Sequence, residues 1–136
     1  MLPRRVTMEE EAVLARLAAE VEADLRYVGL PVLSTGDCWT GGNVGSSTFL
    51  VFYDPSEDES GGVFVRWALS DEVKNTIIFS PDLAAERAIP LGSVTLETMT
   101  DAVERILFEA GWVVDRTSIG VHESAIRIRR KAPTEH

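Results

Sequence analysis

The six residues Thr48-Phe49-Leu50-Val51-Phe52-Tyr53 constrain this chain more than any other feature, because they are apolar on both alternating faces. Successive side chains of a strand point to opposite sides of a sheet, so a strand that is apolar throughout has to be covered on both. The run is far shorter than the roughly 18 apolar residues of a membrane span. It predicts the central strand of a sheet with other elements on each side.

The flanking segments supply those elements. Thr7 with Glu10 three residues later is a capping-box pattern, and Val13, Leu14, Leu17, Val21, Leu25 and Val28 follow at helical spacing. A helix of about five turns is expected, with Glu9, Glu10, Arg16, Glu20, Glu22 and Arg26 on its outer face. Gly29 suits the left-handed position after a helix, Leu30 its apolar contact, and Pro31 a stop. The seam from Leu14 to Val28 covers only two heptads, so packing on the domain's own sheet is preferred to a coiled coil.

Val63, Val65, Trp67 and Leu69 form one face of the next expected strand, with Arg66 opposite, and Val73 to Phe79 reads as another. Turn residues at Asp54-Pro55, Gly61-Gly62 and Ser70-Asp71 make sequential antiparallel pairing the simplest topology. Ser80-Pro81-Asp82 opens a short helical turn over Leu83 to Arg87, and Pro90 and Gly92 break the chain before Thr95. Leu96, Met99, Val103, Ile106, Leu107 and Ala110 then resume a helical period that Gly111 closes. Trp112 to Thr117 and Val121 to Arg130 read as two strands joined near Gly120. The expected class is α+β: a largely antiparallel sheet, made of a meander of three to four strands plus a C-terminal hairpin. An N-terminal helix and a second helix near 95–110 pack on it, in one domain over 1–136 with an ordered core from about residue 7 to 130.

At 136 residues and 45% hydrophobic, the chain can bury a sizeable core without a disulfide or metal. A single cysteine makes no intrachain bridge, Glu9-Glu10-Glu11 stands where a signal peptide needs an apolar run, and cytoplasmic location is the expectation. The net charge of −9 is uneven: residues 116–131 hold five basic side chains against Glu123, while residues 1–115 hold twenty acidic against eight basic. That acidic bulk argues against nucleic-acid binding and leaves the basic end to a solvated or salt-bridged strand.

Residues 34–47 gather the features of a site: Asp37, Cys38, Trp39, Asn43 and four glycines, with no basic side chain. Gly41 to Thr48 has the glycines and hydroxyls of a phosphate loop, but it lacks the lysine and the spacing, and it feeds a strand instead of a helix. Cys38 with His122 is the minimum set for a nucleophilic thiol, yet a lone cysteine serves more often as a small hydrophobe. Asp54, Ser56 and Asp58 fit the first positions of a calcium loop, which then fails at Glu59 and Val65. One cysteine and two histidines do not make a structural zinc site, and no metal or cofactor is expected. Trp67 and Trp112 read as core anchors, while Trp39 is the best candidate for an aromatic contact surface. Together these observations favour a non-enzymatic protein-interaction module that forms a homodimer. The alternative is a small-molecule-binding protein or weakly marked enzyme with Asp37, Cys38, Trp39, Asn43 and His122 around a pocket at the 34–47 loop.

Overall fold

The computed structural model describes residues 4–37, 45–57, 61–79, 83–116 and 125–131. The first helix, α1 (Met8–Tyr27), begins and ends where the sequence predicts. Thr7 Oγ1 accepts the Glu10 backbone N–H at 3.1 Å, and the Glu10 carboxylate reaches back to the Thr7 N–H at 3.5 Å, so two otherwise orphaned donors are satisfied reciprocally. At the other end Gly29 takes φ +85°, which a side chain would oppose. It donates to the Arg26 carbonyl at 3.0 Å, and Leu30 donates to the Leu25 carbonyl at 3.1 Å. This pair of bonds is the Schellman stop, and it turns the chain directly into the sheet.

Among the described residues five strands form one sheet: β1 (Val32–Asp37), β2 (Thr48–Asp54), β3 (Gly62–Ala68), β4 (Trp112–Arg116) and β5 (Ile126–Lys131), in the order β1-β2-β3-β5-β4. The C-terminal pair is antiparallel as expected, and its second strand, β5, adds antiparallel to β3. The sheet is mixed, however, because β1 runs parallel to β2, with Val32 opposite Phe49 and Asp37 opposite Tyr53. The sheet is thus largely antiparallel, as expected, with this one parallel pair as the exception to sequential antiparallel pairing. Parallel neighbours cannot share a tight turn, since the chain must return to the end from which it started. Ten residues can span about 33 Å, more than the roughly 20 Å of a six-residue strand, so this connection is long enough for such a return.

Val73 to Phe79, expected as a strand, instead completes helix α2 (Asp71–Phe79). The Ser70 hydroxyl accepts the Val73 N–H at 3.3 Å, and Asp71 and Glu72 occupy the first turn, where a helix dipole favours acids. In so short a run the spacing of Val73 and Ile77 satisfies a helix while Ile77 and Phe79 imitate a strand. Helix α3 (Leu83–Glu109) also exceeds the expected 95–110, because it runs unbroken through Pro90. Proline removes one intrahelical bond. Two residues on, Gly92 packs closely on Leu69 and α2: a Cβ there would lie 3.3 Å from Leu69 Cδ1 and 3.5 Å from Ile77 Cδ1.

Both faces of β2 are buried, as its apolar run requires. On one face Phe49 and Val51 join Val63, Val65 and Trp67 of β3 and Ile126 and Ile128 of β5 beneath Val21 and Leu25 of α1 and Val103 and Leu107 of α3. On the other, Leu50 and Phe52 join Phe64, Ala68 and Ala125, with Phe52 and Phe64 stacked 5.6 Å apart across the β2–β3 ladder. Each fully buried aliphatic or aromatic side chain contributes about 1.5–3 kcal/mol by its removal from water. Trp67 and Trp112 belong to the first cluster, which bears out their reading as core anchors. Among the described residues no helix is long and apolar enough to cross a membrane.

Candidate functional site

The 34–47 segment divides at the end of β1. Its first residues carry a β-bulge: the register shifts between Ser34 and Gly36, Gly36 takes φ +70°, and the Thr35 hydroxyl is buried without a hydrogen-bond partner among the described residues. Asp37 closes β1 opposite Tyr53 through its backbone. The Asp37 side chain, and Cys38, Trp39, Asn43 and His122 entirely, lie outside the described residues.

The far end of the segment is bolted to the start of α2. The Gly45 N–H donates to Asp71 Oδ2 at 2.8 Å, and the Asp71 N–H donates back to the Gly45 carbonyl at 2.9 Å. Beside this bracket the Ser70 N–H donates to Ser47 Oγ at 2.9 Å. Gly45 itself has φ +74°, so glycine suits the conformation that brings its N–H to Asp71. These partners were not among the expected site residues. The signal for them is the Ser70-Asp71-Glu72 helix start, which the sequence reading took for a turn.

The α2–α3 pair presents a second feature. Its helices cross at the buried Gly92, leaving Ile78 and Phe79 of α2 67% and 77% exposed. Leu91 and Val94 of α3 are about half exposed on the side opposite the crossing. These four side chains stand on two helices that pack on each other.

At the other end of β2, the N-terminal segment is pinned by Val6 N–H to the Pro55 carbonyl and Glu57 N–H to the Arg4 carbonyl, both at 2.7 Å. An open cleft of about 670 Å³ lies there, lined by Val6, Glu10, Val13, Ser56, Gly62 and Arg127 among others. Two of its polar side chains already have work within the fold. Glu10 closes the α1 cap, and Arg127 donates to the Gly61 carbonyl at 2.7 Å across the bare Cα of Gly62.

Part of the basic stretch 116–131 is paired internally. Arg129 meets Asp115 at 2.7 Å, and Arg116 bonds both Asp101 and Glu104 of α3. The hydrogen bonds that Arg116 donates to Asp101 and then to Glu104 raise its pKa above the ordinary value. Among the described residues no group of three histidine, cysteine, aspartate or glutamate side chains is placed to hold a metal ion. In comparisons with known proteins, the chain matches no protein-family model, no curated protein and no solved structure.

Proposed function

We propose that this chain is a non-enzymatic protein-interaction module that self-associates in the cytoplasm, where its single cysteine stays a thiol. The observation that carries the reading is the exposure of large apolar side chains on two helices that pack on each other, Ile78 and Phe79 of α2 and Leu91 and Val94 of α3. Burial of such side chains against a partner removes apolar area from water, the main driving force of association. Sedimentation analysis over a wide concentration range, at low and high salt, tests it. The expected result is a concentration-dependent doubling of mass that persists at high salt, because apolar contact is not screened. A monomer under all conditions would reject self-association.

The bracket between Gly45 and Asp71 supports a second reading, a small-molecule-binding protein or weakly marked enzyme with its pocket at 34–47. Binding loops work when a rigid element holds their ends. On this reading a co-purifying ligand appears in native mass spectrometry, and Trp39→Ala removes the ligand-dependent thermal stabilisation.

A further inference from the structure

We infer that the partner on the α3 face is a second copy of this chain, its α3 packed antiparallel on the first about a two-fold axis near residues 92–93. This rests on the self-association proposed above and specifies its geometry. At about 100° per residue, Arg87, Leu91, Val94 and Thr98 form one stripe along α3, opposite the crossing with α2 at Gly92. The stripe is self-complementary. An antiparallel two-fold brings Leu91 of one protomer onto Val94 of the other, and it brings Arg87 opposite Glu97, which borders the far end of the stripe. Arg87 and Glu97 are both exposed and, among the described residues, neither has an ion-pair or hydrogen-bond partner in its own chain.

Charge selects this face for a like copy. The chain carries −9, and the outer side of α1 is dominated by Glu9, Glu10, Glu20 and Glu22, so two copies repel there. Residues 83–98 contain only Glu86, Arg87 and Glu97, a net of −1, and the two-fold neutralises Arg87 and Glu97 twice over.

Charge reversal and crosslinking test the geometry in the full chain. Arg87→Glu and Glu97→Arg should each weaken the dimer about tenfold, and the double variant should restore it to within about threefold of the parent. In a Cys38→Ser background, oxidising a mixture of Leu91→Cys and Val94→Cys proteins should give a disulfide-linked heterodimer in preference to either homodimer. Recovery in the double variant excludes misfolding as the cause of the single-variant losses. A dimer that forms but ignores both charge reversals, or that yields no preferred heterodisulfide, overturns this interface and leaves self-association standing. A chain that stays monomeric at every concentration overturns the self-association reading itself.

Discussion

Asp24, on α1, accepts a hydrogen bond at 2.8 Å from Nε1 of Trp112, the largest fully buried side chain among the described residues, at the start of β4. The contact joins elements 88 residues apart in sequence and fixes the indole at the edge of the core. Asp24→Ala is expected to destabilise the protein by about 1–2 kcal/mol, because the indole N–H loses its charged acceptor. Urea unfolding of Asp24→Ala, Trp112→Phe and the double variant gives the coupling energy, and additivity would contradict the interaction.

Trp67 makes the opposite arrangement. Its ring meets Phe49 edge-on at 4.8 Å, but its Nε1 is buried without a hydrogen-bond partner among the described residues. Trp67→Phe loses ring contacts and also relieves an unsatisfied donor that costs about 1–3 kcal/mol. Trp112→Phe should therefore be the more damaging substitution, by about 1 kcal/mol or more in the same unfolding experiment.

Gly92 sets the distance between α2 and α3. The atoms nearest an added Cβ are the ends of Leu69, Ile77 and Val73, which can shift by a few tenths of an ångström. Gly92→Ala should be neutral within about 1 kcal/mol, since helix propensity offsets the tighter contact. Gly92→Leu should cost about 1–3 kcal/mol by overpacking, and it should weaken the dimer without altering any side chain of the proposed interface.

The Gly45–Asp71 bracket predicts a local effect. Asp71→Ala removes the acceptor for the Gly45 N–H and an acid from the first turn of α2. Amide exchange should accelerate at Gly45 and through the first turn of α2, while the β2–β3 ladder stays protected. Uniform acceleration across the sheet would show that the bracket supports the whole fold and not this corner alone.

Arg116 bridges Asp101 and Glu104 at an exposed site. Solvent screening holds exposed pairs to about 0–1 kcal/mol, so Arg116→Met should lower stability by less than about 1 kcal/mol, and added salt should shrink the difference. A loss above that range in thermal unfolding would mean that the cluster fixes the position of α3 on β4.

Where neighbouring residues held all the information, the sequence was sufficient. The α1 cap at Thr7 and Glu10, its stop at Gly29, the double-faced strand around Val51 and the C-terminal strand pair depend on contacts within a few residues or on a clear period. The candidate site was legible only as composition. Asp37, Cys38, Trp39, Asn43 and His122 were chosen by residue type, and the Asp37 side chain and the other four residues lie outside the described structure.

What the amino-acid order determined alone was the α+β class, the burial of both faces of β2 and the ends of α1, because capping, turn chemistry and side-chain alternation act locally. Tertiary structure decided the parallel β1–β2 pair, the helical state of 71–79, the passage of α3 through Pro90 and the bracket between Gly45 and Asp71. Strand direction depends on where a ten-residue connection returns, and an ambiguous apolar run takes the period that its neighbour can pack against. Here the neighbour of α2 is α3, and Gly92 lets the two helices meet.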